Sequence, residues 1–371
     1  MALTLTNFRL VGFDAAVDSI HITDDGLVAG EPLAGAEVID CQGHRLSPGW
    51  CDLHVHVWHG GTDISIRPAQ AGRGSGVTAM ADAGSAGEAT FHGLREYIID
   101  PAAETIKAFI NIGSIGLVAC NRVPELIDMR SIDVDRTLTV IEANRDLICG
   151  VKVRASGVIV GAWGITPVKI ARRVAQISGL PLMVHVGEPP PLIDEVFDLL
   201  SPGDIVTHCF NGKRAGSIAD TDALWAQAKQ LSDNGIRMDI GHGSASFNFE
   251  VARRAIADGL EPWSISTDLH LHSLPGPVFD LALTASKLLA LGLKFEDCIA
   301  AITTRPRSVL GLSGADGLTP GLRADFTLFD LTDSRFEATD SSGNHLDLDQ
   351  LLSPRMTVVG ASVAKASGYA K

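Results

Sequence analysis

From residue 49 onward, short apolar runs with strand character alternate with amphipathic helical patterns, and this alternation limits the possible fold more than any other feature. The candidate strands are Gly49 to His56, Val77 to Asp82, Ile106 to Gly113, Ile148 to Ala155, Pro181 to His185, Ile205 to His208, Ile236 to Ile240 and Ser264 to Asp268. Each is shorter than a typical helix, and turn residues such as Pro48 and Gly49 precede the first. Between and after them, Asp133 to Asn144, Thr166 to Ser178, Asp220 to Asn234 and Asn248 to Asp258 carry helical periodicity. A long apolar helix is expected at Phe279 to Leu291 and a last helical region at Phe295 to Leu310. Repeated β-then-α alternation with eight strands predicts an α/β fold, a closed TIM-like (β/α)8 barrel, with an open doubly wound sheet as the alternative.

The ends of the chain read differently. Leu3-Thr4-Leu5-Thr6 and Ser19-Ile20-His21-Ile22 alternate apolar and polar residues and are broken by Asp24-Asp25-Gly26, as in a small β unit. After the helices, the turn residues Gly317 to Gly321 lead into the alternating run Ala324 to Asp330. Residues 1–48 and 314–371 are therefore expected to form one composite β-sandwich domain flanking a barrel of residues 49–313.

With 30 basic and 44 acidic residues the net charge is −14, and no long basic run offsets it, so nucleic acid and anionic membrane are not expected partners. The six cysteines follow no CxxC or disulfide-scaffold spacing, which fits a reducing compartment. The N-terminus lacks a basic n-region, and no apolar stretch approaches a bilayer span, so the expected location is the cytoplasm. The 46% hydrophobic fraction permits a homo-oligomer.

Reactive residues of α/β barrels sit at the C-terminal ends of the strands. The first strand ends in His54 and His56, which share a face about 6–7 Å apart because strand side chains alternate. The fourth carries Lys152 within an apolar run, the fifth ends at His185, the sixth at His208 and the eighth at Asp268. Four histidines, one lysine and one aspartate at one mouth could hold zinc or a neighbour in the transition series. A protonated Lys152 would be repelled by two cations, whereas carboxylation by carbon dioxide would turn its amine into an anionic carbamate able to bridge them. The plainer reading is a lysine snorkelling out of the strand end. Arg154, two residues further along the strand, is a candidate clamp for a substrate carboxylate, or else one half of a structural ion pair. His242, in the loop after the seventh strand, is a candidate substrate-binding residue. His59, His270 and His272 read as solvated loop residues, and Cys51 and Cys209 as core.

With the run Pro48-Gly49-x-x-Asp52-x-His54-x-His56 and the segment Gly317 to Asp330, the chain resembles the amidohydrolase superfamily over nearly its whole length. The stretches Gly150 to Ser156, Thr207 to Gly212 and Gly241 to Phe247 resemble the dihydroorotase-like deacetylase group of that superfamily. The resemblance implies two divalent metal ions, with His54, His56 and Asp268 on one, His185 and His208 on the other, and carboxylated Lys152 bridging. It further implies attack by a metal-bridging hydroxide, with Asp268 as the catalytic group that moves the proton to the leaving group. The implied substrate is a small molecule bearing a carboxylate and an acyl group, most naturally acetyl, joined as amide or ester. Dihydroorotases carry an arginine two residues beyond the His-x-His pair; Trp58 stands there in this chain. A cyclic-amide hydrolase of the dihydroorotase or hydantoinase kind is the alternative, and a non-catalytic scaffold a remote one, since relatives that lose activity tend to lose ligands.

Overall fold

The computed structural model describes residues 1–369. Six short strands precede the barrel: Leu3–Thr6 (β1), Arg9–Leu10 (β2), Ser19–Ile22 (β3), Val28–Ala29 (β4), Glu37–Asp40 (β5) and Arg45–Pro48 (β6). Seven parallel barrel strands follow: Trp50–Val55 (β7), Val77–Gly87 (β8), Thr105–Asn111 (β9), Ile148–Ala155 (β10), Leu182–Val186 (β11), Ile205–Thr207 (β12) and Arg237–Asp239 (β13). Their spatial order is their chain order, as expected when each crossover is a helix packed on the sheet in the same hand. Most of their residues are buried, because one side of the sheet meets the helices and the other fills the barrel.

Residues 264–269 close the ring. Asp239 bridges Ser264 and Val55 bridges Leu269, both in parallel sense, so the eighth segment touches the seventh strand and the first. It does not form the regular strand expected from its sequence. The Asp52 carboxylate accepts from both the Thr267 N–H (3.1 Å) and the Thr267 hydroxyl (2.5 Å), taking up a donor that a ladder would use. Asp268 then turns out of extended geometry with φ +50°.

The helices follow the expected pattern at Val134–Ala143, Thr166–Ser178, Asp222–Asp233, Phe249–Ala257 and Leu281–Ala290. The last helical region is two pieces, Phe295–Ile302 and Thr304–Val309, separated at Thr303. Pro306 accounts for the break, since it has no N–H to give the Ile302 carbonyl and its ring crowds that oxygen. Among the described residues, no helix is long and apolar enough to cross a membrane.

The chain ends in two fifteen-residue strands, Asp325–Thr339 (β14) and His345–Val359 (β15), and a short one, Ser362–Lys365 (β16). They join the N-terminal segment in a sheet of order β16-β15-β14-β6-β2, beside a second sheet, β4-β3-β1-β5. Leu3, Leu5, Ile20 and Ile22 from one sheet and Leu46, Phe326, Leu328 and Val358 from the other share one buried cluster, which makes the pair a sandwich. The far half of the β14–β15 hairpin leaves the sandwich. Its Ala338, Leu348, Leu351 and Leu352 belong to the barrel's core, and its tip, residues 340–344, reaches the mouth of the barrel. There Ser341 N–H donates to the Phe247 carbonyl (3.0 Å) and Phe249 N–H to the Asp340 carboxylate (2.9 Å).

Candidate metal centre

The six expected ligands lie together at the C-terminal ends of the barrel strands. His54 Nε2 stands 3.3 Å and His56 Nε2 3.2 Å from Asp268 Oδ1. Lys152 Nζ is 3.2 Å from His54 Nε2. The His208 ring centroid lies 5.2 Å from that of His54 and 4.4 Å from that of His185. His54, His208 and Asp268 offer ligand atoms that all fall within 4.8 Å of one another.

Their second nitrogens show why these rings point as they do. His54 Nδ1 lies 2.8 Å from the Thr207 hydroxyl, which donates onward to Asp239 Oδ2 at 2.7 Å. His56 Nδ1 lies 3.0 Å from the Ser85 hydroxyl, and His208 Nδ1 donates to the Gly241 carbonyl at 2.5 Å. With Nδ1 committed, each imidazole keeps Nε2 free, the arrangement by which outer partners fix a ligating histidine. Asp239 is itself held by the hydroxyls of Ser264 and Ser266.

The electrostatics agree with ligation. Burial pushes His54 and His185 well below the usual histidine range and His208 down to about 3, so all three rings are neutral. Asp268 Oδ1 faces the Nε2 atoms of His54 and His56 at 3.3 and 3.2 Å, and with those nitrogens unprotonated a cation between them and the carboxylate would relieve the facing lone pairs. Burial brings the Lys152 amine down to about 7, which leaves a substantial neutral fraction near pH 7. Neutral imidazoles, an anionic carboxylate and a deprotonatable amine on one spot form a donor set that fits a divalent cation. Asp268 and His208 both hold positive φ, +50° and +67°, a conformation uncommon outside glycine that the surrounding packing has to sustain. Lys152 has room only because residue 84 is glycine; a Cβ built there would stand 2.7 Å from Lys152 Cγ, at φ +89°.

The two expected substrate contacts differ in outcome. Arg154 Nε and Nη2 meet both oxygens of the fully buried Glu125 at 2.7 and 2.6 Å. This side-on pair leaves the outer edge of the guanidinium, Nη1 and the second N–H of Nη2, without a protein partner among the described residues. His242 is a correction. It is fully buried; its Nδ1 donates to the Gly243 carbonyl and its Nε2 lies 2.9 Å from Lys287 Nζ, so neither nitrogen is left for a substrate.

His59 and His272 are exposed, as expected of loop residues, whereas His270 is only partly so. Its Nδ1 accepts the His272 backbone N–H at 3.1 Å, and its ring lies 6.4 Å from that of His56. A neutral His270 therefore carries its proton on Nε2. Trp58 packs its indole over the backbone of Gly61 and offers nothing like an arginine fork. Sequence reasoning missed Glu125, which sits in an irregular loop without a motif. It also passed over Thr207 and Asp239, although both occupy strand ends beside the expected ligands.

No protein-family model matches the chain. The chain is 55% identical over 377 residues to a protein named deacetylase from Brucella anthropi, covering 99% of this chain and 94% of that one. It is also 55% identical over 376 residues to a deacetylase of Agrobacterium fabrum, covering 99% and 92%. A crystal structure described as a dihydroorotase matches with TM-score 0.95 and 53% identity, covering 99% and 98%, and one described as an adenine deaminase with TM-score 0.89 and 31%, covering 98% and 99%. An enamidase described as a member of the amidohydrolase superfamily shares the fold, at TM-score 0.67 and 18% identity over 100% and 97%. With that barrel, that cluster of ligating side chains and these relatives, the chain belongs to the amidohydrolase superfamily, in its dihydroorotase-like group, and is a hydrolase.

Proposed function

We propose that the protein is a binuclear metal-dependent deacetylase that releases an acyl group, acetyl in the simplest case, from a small amide or ester bearing a carboxylate. The observation that carries the substrate class is the Arg154–Glu125 pair. A buried carboxylate fixes the guanidinium side-on and leaves its outer edge free, and that edge matches a second carboxylate in bidentate geometry. Two relatives bear the name deacetylase.

In this reading His54, His56 and Asp268 would hold one ion and His185 and His208 a second, with carboxylated Lys152 as a further anionic ligand and zinc as the expected metal. Bound there, the ions would supply a low-pKa water and Lewis-acid stabilisation of charge on the acyl oxygen. The protein's own contribution is orientation and proton movement. Arg154 anchors the carboxylate and so fixes where the acyl carbonyl lies. Asp268, whose side chain is 13% exposed beside the imidazoles, takes a proton from the attacking water and returns it to the leaving amine or alcohol. Lys152 is suited to carboxylation because burial favours its neutral, nucleophilic amine.

A second reading, hydrolysis of a cyclic amide, draws on the solved relative described as a dihydroorotase. Trp58 in place of the expected arginine counts against it. The deciding experiment is turnover by zinc-reconstituted protein of N-acetyl amino acids and O-acetyl 2-hydroxy acids of both hands, beside dihydroorotate and a hydantoin. Hydrolysis of acetylated acids with a marked preference for one hand is the expected result. Turnover of the ring substrates alone would sink the deacetylase reading.

A further inference from the structure

Among the described residues two lysines are buried, Lys152 in the metal centre and Lys287 on the Leu281–Ala290 helix. The proposed chemistry gives Lys287 no part. Its Nζ lies 2.9 Å from His242 Nε2, 2.7 Å from the Pro277 carbonyl and 2.9 Å from the Thr339 carbonyl. The two carbonyls can only accept. His242 Nδ1 must carry a proton to reach the Gly243 carbonyl at 2.9 Å, and burial keeps that ring neutral, so its Nε2 also accepts. Three N–H groups, the number an ammonium carries, are thus engaged, one each with the turn after β13, the loop before the helix and the end of β14.

The hairpin adds a second tie to the same turn. Ser341 Oγ donates to the carbonyls of His242 and Gly243 at 3.3 and 3.0 Å. The turn so held, Gly241 to Gly243, is the one whose backbone touches two of the ligands. The Gly241 carbonyl accepts from His208 Nδ1 at 2.5 Å. Gly243, at φ +54°, lies so close to Asp268 that a Cβ there would stand 2.5 Å from its Oδ2. Movement of this turn in one direction would lengthen the His208 bond and in the other would crowd Asp268.

We propose that Lys287 and Ser341 are positioning residues of the metal centre, which act through His242 to fix the turn that aims His208 and confines Asp268. The C-terminal hairpin is by this inference part of the catalytic apparatus rather than an appendage of the sandwich. The inference rests on the reading that His208 and Asp268 hold metal.

The test uses the full chain, freed of metal and titrated with cobalt(II), whose visible absorption reports ligand geometry. The variants are Lys287→Met, Ser341→Ala, His242→Phe and the double variant Lys287→Met/His242→Phe, with the melting of each metal-free form followed by circular dichroism. The expected result is cobalt affinity weakened by about tenfold and an altered absorption band in folded single variants, in keeping with the effect of outer partners on a metal site. The double variant should lose little more than His242→Phe alone, because the lysine works through that ring. If Lys287→Met fails to fold, Ser341→Ala decides, since it removes only hydroxyl contacts. Unchanged affinity and spectrum in the folded variants, with cobalt bound normally by the wild type, overturn this inference alone. A wild type that takes up no cobalt overturns the metal reading and this inference together.

Discussion

Glu125 and Arg154 meet side-on, Oε1 to Nε at 2.7 Å and Oε2 to Nη2 at 2.6 Å, with the carboxylate wholly buried and the guanidinium 18% exposed. The pair joins the loop after β9 to the end of β10, and it decides which edge of the guanidinium faces outward. Removing the acid should therefore do two separable things. Glu125→Ala should cost about 3 kcal/mol of stability, the low end for breaking a buried ion pair because Arg154 retains some solvent. It should also raise KM for carboxylate substrates several-fold while leaving turnover of an uncharged acetyl ester near wild type. Chemical denaturation and steady-state kinetics on the two substrates check both parts.

The same pair sets a pH dependence. Burial alone would raise the pKa of Glu125, but the guanidinium of Arg154 outweighs it and holds the carboxyl below its ordinary value of 4.5. The unfolded chain consequently takes up this proton first as pH falls. The contribution is complete above about pH 4.5 and fades as pH drops through the lowered native value. The stability difference between wild type and Glu125→Gln should be constant from pH 8 to pH 5 and shrink below about pH 4. A difference that grows on acidification would contradict this.

Thr207 stands between His54 and Asp239, accepting from one and donating to the other. Thr207→Val keeps the shape and removes both bonds, and it should weaken metal binding by about 10–100-fold, as loss of an outer partner does. Ser264→Ala serves as the control, because it takes one hydrogen bond from Asp239 without touching His54. Competition with a chromophoric chelator gives both affinities; equal losses would show that His54 does not depend on Thr207.

Gly84 is the residue against which Lys152 lies. Gly84→Ala would place a methyl 2.7 Å from Lys152 Cγ at φ +89°, so the backbone term alone should cost about 1–3 kcal/mol. The displaced lysine should also lower metal content. Thermal melting and metal analysis of the same preparation check the two effects.

If Lys152 carries a carbamate, reconstitution in the presence of ¹³C-labelled bicarbonate should yield a protein-bound carbamate signal by NMR. Lys152→Met should show no such signal and should bind less metal. Bicarbonate-free reconstitution that gives full activity and no signal would remove the carbamate from the account.

Much of the barrel was legible in the sequence because its strands are mostly buried apolar runs whose ends carry the expected ligands. His54, His56, Lys152, His185, His208 and Asp268 could be picked out one strand at a time, since position along a strand fixes which end of the barrel a residue occupies. Even there the eighth segment departed from a regular strand, because Asp52, far away in sequence, captured the backbone and side chain of Thr267.

What the sequence by itself determined is local: period, turn residues and the chemical type at each strand end. What only the tertiary structure decided is who meets whom across long separations. Glu125 in a loop, Thr207 beneath His54, and the hairpin that brings Thr339 and Ser341 to Lys287 and His242 carry no pattern of their own. His242 and Lys287 are 45 residues apart, and a lone histidine in a loop reads the same whether it faces solvent or an ammonium. Hydrogen bonds and ion pairs act only over a few ångströms, so their partners are settled by packing of whole elements and not by the spacing of residues along the chain.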